Sequence, residues 1–383
     1  MRIPAPEQLI DSAATAWDLY LGPGVADTSR TPSSIVHVGP QCTVRRFSGR
    51  RPIRTGRAPI LLVPPLAAPA SCFDLRRGCS VAEHLTSLGY PTYVVDYGPI
   101  SFGDRALGLE HWIEDVIPEA VRVASGDCGG APVQLVGWSL GGIFALLTVA
   151  NDQALPIASA SLIASPFDFA RVRLAAPLRQ LARLTGGALG TALYRMLGGA
   201  PAPLVSRGFQ LTSWDRYLTK PLWVLRNLAD RDAIAQSQAV DEYMAKMLAY
   251  PGRSFGQLYH RFFRVNELAG GTLELTPDHR IELADVRQPV LVVAGTADAL
   301  APVAAVEAVV DLLPNAASVR FETAPGSHLT TLTGRTAEAT TWHYLDEFLA
   351  ANDPLTLSAG RGRVDSARRL EVGVGQQPVE RAG

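Results

Sequence analysis

The sequence has few cysteines and none of the short motifs that would indicate a metal, nucleotide or redox protein. Four cysteines in 383 residues are too few and too scattered for a disulfide framework, so we expect free thiols and a reducing, cytoplasmic location. Neither Cys-x-x-Cys nor His-Glu-x-x-His occurs, and neither Gly-x-Gly-x-x-Gly nor Gly-Lys-Ser/Thr occurs. We therefore predict no metal site and no cofactor. The cysteines are Cys42, Cys72, Cys79 and Cys128.

Net charge and long apolar runs are also lacking. The formal net charge is -1 at pH 7 and 19% of the residues are charged, a balance that does not attract nucleic acid. No apolar run reaches the roughly 18 residues of a membrane span, and residues 1–7 lack the apolar stretch of a secretory signal, so we expect neither. With 47% apolar residues, the chain can bury one large core and a lid.

The chain is organised around an apolar run that ends in Gly-x-Ser-x-Gly. Residues 133–138 read Val-Gln-Leu-Val-Gly-Trp, Ser139 follows, and a second apolar segment begins soon after Gly141. Gly137 and Gly141 lack a Cβ, which allows the end of a strand and the start of a helix to approach closely. The pattern predicts a buried strand, a sharp turn and a helix, with the hydroxyl of Ser139 exposed on a strained bend.

Strand and helix signals alternate on both sides of this turn. An antiparallel edge hairpin comes first, one later helix begins with the capping box Ser80 to Glu83, and another is predicted to kink at Pro118. This alternation predicts an α/β protein with a mostly parallel, doubly wound sheet. The predicted strands are 35–38, 42–47, 60–63, 93–95, 133–138, 160–164, 289–295 and 319–321.

The alternation is interrupted once, after the sixth strand. Residues 168–286 are helical in pattern and rich in aromatic side chains, without a strong strand signal, and the segment is too long for a loop. We predict a mainly helical cap inserted into a core formed by 35–167 and 287–351. Residues 1–34 are predicted to be a peripheral helix and linker, and residues 352–383 a disordered tail.

Two residues complete a candidate catalytic triad around Ser139. A serine hydroxyl needs a base to take its proton and a carboxylate to orient that base. Asp298 follows the seventh strand and His328 follows the eighth, in the order that an α/β-hydrolase topology requires. Alone, Asp298 is typical of a helix-capping turn and His328 of a surface loop, but together the three residues predict a triad. Asp96, which follows an earlier strand, is the alternative acid.

Acyl transfer through a serine also needs donors for the oxyanion. In this topology one donor is the N–H of the residue after the nucleophile, which is Leu140, at the positive end of a helix. The other comes from the loop after the strand that ends at Val63. Two prolines begin that loop and have no N–H, so the second donor is expected to be Leu66 or Ala67.

These motifs resemble the α/β-hydrolase superfamily throughout residues 35–351 and, more narrowly, the polyhydroxyalkanoate synthases. The resemblance implies a covalent acyl-enzyme, with Ser139, Asp298 and His328 in triad roles beneath a cap that closes over an acyl chain. The similar features are Val63-Pro64-Pro65, Asp74 to Ser80, Pro251-Gly252-x-x-Phe255, Asn266, Asp298-x-x-x-Pro302, Gly326-x-His328, Gly334-Arg335 and Trp342.

The chain departs from those synthases at the nucleophile, where they use cysteine and this chain has Ser139. A serine gives an oxygen ester, from which water or an alcohol is a reasonable acceptor, whereas a thiolate exchanges acyl groups easily with a thioester. The interpretation is an esterase, lipase or acyltransferase acting on an ester or acyl-CoA. A polymerising synthase and a non-catalytic binding module are the alternatives, and a homodimer or association with a lipid or polyester surface is compatible with each.

An arginine cluster lies before the third strand. Six arginines fall within residues 45–57. They fit either a solvated sheet edge that discourages strand addition or an anion-binding patch for a phosphate-bearing acyl carrier.

Overall fold

The structure, a computed structural model, describes residues 6–49, 51–54, 56–173, 199–211 and 214–353. At its centre lies a sheet of eight strands: β1 (Ser33–Gly39), β2 (Cys42–Phe47), β3 (Ile60–Val63), β4 (Thr92–Asp96), β5 (Val133–Trp138), β6 (Ile157–Ile163), β7 (Val290–Gly295) and β8 (Val319–Ala324).

The spatial order of these strands is β1-β2-β4-β3-β5-β6-β7-β8. Strands β3 to β8 are mutually parallel, whereas β2 is antiparallel to both β1 and β4. Every residue of β3, β5 and β7 is buried, as expected for continuous apolar runs in a parallel sheet covered on both faces. This is the α/β-hydrolase fold, and the predicted fold class is confirmed.

Helices flank the sheet, and their boundaries follow local sequence signals. One half of the predicted capping box is observed, because Ser80 Oγ accepts the N–H of Glu83 at 3.0 Å where α2 begins. The helices are α1 (Pro6–Tyr20), α2 (Val81–Ser87), α3 (Ile117–Asp127), α4 (Leu140–Asn151), α5 (Ala202–Leu211), α6 (Trp214–Asn227), α7 (Arg231–Ala245), α8 (Gly252–Gln257), α9 (Val303–Glu307), α10 (Thr330–Thr333) and α11 (His343–Ala351).

The helix predicted to kink at Pro118 is irregular, but the irregularity precedes the proline. A π-helical turn spans His111–Val116, and Pro118 lies in the first turn of α3. A proline is tolerated at that place because an N–H in the first turn has no partner within the helix. Two further π-helical turns lie at Leu258–Val265 and Glu338–Trp342.

The stretch between β6 and β7 contains several helices together with short strands that the sequence did not indicate. It contains an antiparallel hairpin, Thr272–Thr276 with His279–Glu282, and a two-residue pairing of Gly199–Ala200 with Tyr250–Pro251. The hairpin packs against α4 of the core, where His279 Nε2 lies 2.9 Å from Asn151 Oδ1. Its short, half-polar strands lack the continuous apolar run of the core strands, so the sequence signal was weak. Residues 174–198 and the predicted tail beyond residue 353 lie outside the described residues.

Three arginines of the cluster, Arg45, Arg46 and Arg57, form ion pairs at the periphery of the sheet. Arg46 Nη1 lies 2.8 Å from Asp127 Oδ2, and Arg57 Nη1 lies 3.7 Å from Asp353 Oδ2. Arg57 precedes β3 and therefore lies at the opposite end of that strand from the loop expected to hold an oxyanion donor. These contacts are those expected of a solvated sheet edge, and the anion-binding patch for a phosphate-bearing acyl carrier stays a prediction.

Candidate active site

Ser139 occupies a strained turn between β5 and α4. Its backbone has φ 55° and ψ -124°, a conformation that is rare for a residue with a side chain and is typical of functional sites. The flanking glycines make the turn possible. A Cβ on Gly137 would lie 2.4 Å from Gly142 Cα, and one on Gly141 would lie 2.2 Å from the carbonyl oxygen of Val63. The predicted strand, turn and helix are therefore present, with the serine at the bend.

The structure brings the three predicted residues into one hydrogen-bonded line. Ser139 Oγ lies 2.8 Å from His328 Nε2, and His328 Nδ1 lies 2.7 Å from Asp298 Oδ2. With the Nδ1 proton held by the carboxylate, Nε2 is left as the acceptor for the serine hydroxyl. The arrangement can therefore withdraw a proton from Ser139, which is the first requirement for a serine nucleophile.

Asp298 is buried but well satisfied. Its side chain is 0% exposed, and Oδ1 accepts the N–H groups of Leu300 and Ala301, each at 2.8 Å. These bonds hold the carboxylate without using the oxygen that faces His328, so the orientation of Asp298 is fixed.

The loops that carry the acid and the base are also joined to each other and to β5. The N–H of Ala297 donates to the carbonyl of Gly326 at 3.0 Å, and Trp138 Nε1 donates to the carbonyl of His328 at 3.0 Å. The Trp138 and His328 rings lie 5.2 Å apart between centroids. The residue that precedes the nucleophile thus supports the base, a role that the sequence did not reveal.

Asp96, the alternative acid, is engaged elsewhere. Its Oδ1 accepts the N–H of Gly98 at 3.0 Å, and its Oδ2 lies 4.0 Å from Arg45 Nε. His328 instead pairs with Asp298, which leaves no triad role for Asp96.

The three candidate oxyanion donors lie where the topology requires them. Leu140 is the first residue of α4, and Leu66 and Ala67 follow β3; none of their N–H groups has an acceptor among the described residues. Ala67 has φ 64°, and its carbonyl accepts the N–H of Leu248 at 2.8 Å. The loop is further held by Tyr97, whose hydroxyl donates to the carbonyl of Pro64 at 3.1 Å.

A cavity of about 550 Å³ is lined by residues of helices α6 and α7 and by residues that follow His328. Thr330, two residues after His328, is part of its wall. Sequence reasoning missed the polar wall residue Gln236; the signal was its place on the otherwise apolar face of α7, three residues after Ala233 and four before Val240. The lining residues are Thr219, Lys220, Trp223, Ala233, Gln236, Ser237, Val240, Thr330 and Arg335.

Two other kinds of site are not found in the described part of the chain. Its His, Cys, Asp and Glu side chains form no group of three or more that could hold a metal ion. Its helices include none with both the length and the apolar character needed to cross a membrane.

Sequence comparison finds relatives of one kind. No protein-family model matches the chain. The poly(3-hydroxyalkanoate) polymerase subunit PhaC of Haloferax mediterranei is 22% identical over 83% of this chain and 64% of its own length. The PhaC subunits of Haloarcula marismortui and Allochromatium vinosum are 23% and 24% identical, over 64% and 79% of this chain and 50% and 84% of their own lengths. The resemblance to polyhydroxyalkanoate synthases is confirmed. For the first two of these synthases, the chain spans less than two thirds of the relative's length.

Solved structures of similar shape are α/β-hydrolases of varied activity. An esterase from Rhodococcus sp. covers 84% of this chain at 16% identity and a TM-score of 0.47, with 99% of the esterase covered. The proline iminopeptidase of Mycobacterium smegmatis covers 86% at 16% identity and a TM-score of 0.44, with 100% of that chain covered. The fold assignment itself depends on the strand order and directions described above.

Proposed function

We propose that this protein is a serine-nucleophile acyl-transfer enzyme that forms a covalent acyl-enzyme from an ester or acyl thioester. The observation that carries the proposal is the unbroken line from Ser139 Oγ to His328 Nε2 at 2.8 Å and from His328 Nδ1 to Asp298 Oδ2 at 2.7 Å. Such a line activates a hydroxyl that is otherwise a weak nucleophile at neutral pH.

The proposed reaction has two balanced halves. In the first, Ser139 Oγ attacks the acyl carbonyl while its proton moves to His328 Nε2; the bond to the leaving alcohol or thiol then breaks, and that group takes the proton from His328. In the second, water or an alcohol gives its proton to His328 and attacks the ester, and Ser139 recovers the proton as it leaves. The N–H of Leu140, with that of Leu66 or Ala67, would stabilise the oxyanion in both halves.

A fluorophosphonate tests the nucleophile directly. Mass spectrometry after labelling should find the adduct on Ser139, because only an activated hydroxyl displaces fluoride at a useful rate. Ser165 is the informative comparison, since its side chain is buried and its hydroxyl donates to the carbonyl of Ile163 at 3.2 Å. Labelling of Ser165 instead would refute the assignment, and a wild-type protein that takes no label would favour the non-catalytic binding module.

A polyhydroxyalkanoate synthase that polymerises hydroxyacyl-CoA is the second candidate. The similarity to PhaC polymerase subunits favours it, and the proposed cap, 168–286, would close over a growing chain. The serine is the argument against it. A cysteine thiolate exchanges acyl groups with a thioester at little free-energy cost, whereas a serine forms an oxygen ester, which does not exchange as evenly with a thioester.

The products distinguish the two candidates. An esterase or single-transfer enzyme should release free acid or a simple ester from acyl-CoA and model esters, without a lag and without polymer. Polymer formed by the wild type at a rate comparable with its CoA release would establish the synthase. Ser139→Cys should acylate more readily from a thioester, which shows whether the nucleophile alone limits chain growth.

A further inference from the structure

A buried glutamine on α7, Gln236, is the main polar feature near the triad that the proposed reaction does not use. The residue is 8% exposed. Its Oε1 accepts a hydrogen bond from Arg76 Nε at 2.8 Å, and its Nε2 donates to the carbonyl of Thr333 at 2.9 Å. Because arginine only donates and a carbonyl only accepts, these two partners determine the orientation of the amide.

Thr333 belongs to the same short turn as the catalytic base. It ends α10, which begins two residues after His328, and its N–H donates to the carbonyl of Leu329 at 3.0 Å. The carbonyl that Gln236 holds is therefore connected to the imidazole through one compact turn of backbone. A displacement of Thr333 would be transmitted to His328.

A second link joins α7 to the same segment. Arg76 Nη2 lies 2.7 Å from Asp232 Oδ1, and Asp232 Oδ2 lies 3.0 Å from Arg335 Nε. Arg335 also donates to Asp230 Oδ2 at 2.6 Å, at the start of α7. The first half of α7 is thus attached to the histidine segment on both sides of Gly334.

The contact between α7 and the segment that follows His328 lies beside a cavity that could hold a ligand. Gln236 on α7 and Thr330 on α10 lie on its wall, as does Arg335. A molecule in the cavity would contact α7 and the segment that follows His328 at the same time. Its binding would therefore favour the conformation in which α7 packs against α10.

We propose that Gln236 is a positioning residue that couples α7 to His328 through the carbonyl of Thr333, with Arg76 orienting its amide. The triad is aligned when α7 packs against α10. It loses alignment when the hydrogen bond from Gln236 Nε2 to the carbonyl of Thr333 is absent. This inference rests on the proposed function, because it assigns His328 the role of base.

Two substitutions separate the contacts of Gln236. Gln236→Glu keeps the acceptor for Arg76 but replaces the donor to Thr333 with an oxygen that repels the carbonyl, whereas Gln236→Met removes both bonds. Each should lower kcat for an ester by about 10- to 100-fold with KM changed less than about threefold, since a displaced base lowers the rate and not the affinity.

Gln238→Met is the matched control. Gln238 lies on the same helix but accepts the N–H of Val25 at 2.7 Å, so its loss should leave kcat within about twofold.

The alignment of His328 can also be read without turnover. The Nδ1 proton that His328 shares with Asp298 should give a low-field proton resonance, assigned by its absence in His328→Ala. We expect the resonance to weaken or shift in both Gln236 variants and to persist in Gln238→Met. If Gln236→Met does not fold, Gln236→Glu still decides the matter, because it retains the partner of the buried Arg76.

Wild-type kcat and an unchanged resonance in Gln236→Glu would overturn the proposal. A rise in KM alone would also overturn it, because the glutamine would then contact the substrate and not the base. Failure of the proposed function itself has a different signature, which is a wild-type protein that shows the resonance but takes no fluorophosphonate on Ser139.

Discussion

At the scale of single residues, the chemistry depends on how a hydroxyl, an imidazole and a carboxylate share their protons. Ser139 is held at φ 55°, and Asp298 is fully buried with one oxygen already satisfied by two backbone N–H groups. Both features restrict the geometry before any substrate binds.

Ser139 and His328 should act as one unit. Ser139→Ala is expected to lower kcat by about 10⁴- to 10⁶-fold, His328→Ala by a similar factor, and the double variant by little more. Steady-state ester hydrolysis measures all three. If the two losses multiply, the residues act independently and do not form a triad.

The cysteines should be poor substitutes for the serine. Burial raises the pKa of the Cys42 thiol to about 11, and it also raises the pKa of Cys72 and Cys79, so at pH 8 only about one Cys42 in a thousand is ionised. Iodoacetamide should therefore modify the half-buried Cys128 first and leave ester hydrolysis intact. Unfolding in urea should make all four thiols react. Inactivation that parallels alkylation of Cys72 would contradict the serine assignment.

At the scale of elements, the decisive structure is the turn from β5 to α4, which depends on close backbone approach. Gly141→Ala would place a Cβ against Val63 and Pro64, where backbone atoms cannot move aside cheaply, so we expect a loss of about 1–3 kcal/mol in the free energy of unfolding. Gly126→Ala is the matched control. A Cβ on Gly126, in α3, meets no atom within 4 Å, and a gain of roughly 0.4–1 kcal/mol is expected. Urea unfolding measures both, and equal effects would refute the steric argument.

The start of α7 should show a dependence on acid. Asp230 caps this helix; the N–H of Ala233 and the guanidinium of Arg335 hold the pKa of its carboxyl below the ordinary value of 3.8. A lowered pKa in the folded state stabilises the fold above the unfolded value, and this contribution disappears as the pH falls through the folded pKa.

Substitution of the cap tests this expectation. Asp230→Ala should lower the free energy of unfolding by about 1 kcal/mol at pH 7, and the difference from wild type should shrink below about pH 4. Asp230→Asn should lose less, because it keeps a capping oxygen and gives up only a half-exposed ion pair. A difference that stays constant from pH 7 to pH 3 would rule out the ionised cap as its source.

At the scale of the whole molecule, the region between β6 and β7 lies near the segment that follows His328. The cavity of about 550 Å³ there has a size suited to an acyl chain, and Val240 on α7 contributes to its wall. Substrate preference should therefore depend on the cap as well as on the triad.

Filling the cavity should shift the preference for acyl length. Val240→Phe is expected to lower kcat/KM for a decanoyl ester about tenfold more than for a butyryl ester, because the long chain needs the lost volume. Ala239→Val is the control for crowding, since Ala239 is equally buried on α7 but does not line the cavity. A uniform loss for both esters would place the acyl chain elsewhere.

Much of the site was predictable because it depends on local sequence and chain order. The run from Val133 to Gly141 specifies a strand, a turn and a helix by apolar character and glycine spacing alone, and Asp298 and His328 each follow a recognisable strand. Parallel strands place their carboxyl ends at one edge, so adjacency followed from topology. The hairpin of residues 272–282 was missed, because its strands are short and half-polar and lack the continuous apolar run of the core strands.

The sequence by itself determined the α/β class and the order of the strands along the chain, and it singled out Ser139, His328 and Asp298 as the candidate triad. Only the tertiary structure decided that Trp138 supports His328, that Gln236 connects α7 to Thr333, and that a cavity lies between them. The physical reason is the separation along the sequence between the residues that make contact. Strand, helix and turn signals act over a few residues, whereas these contacts join segments 97 to 190 residues apart and depend on packing that no local pattern specifies.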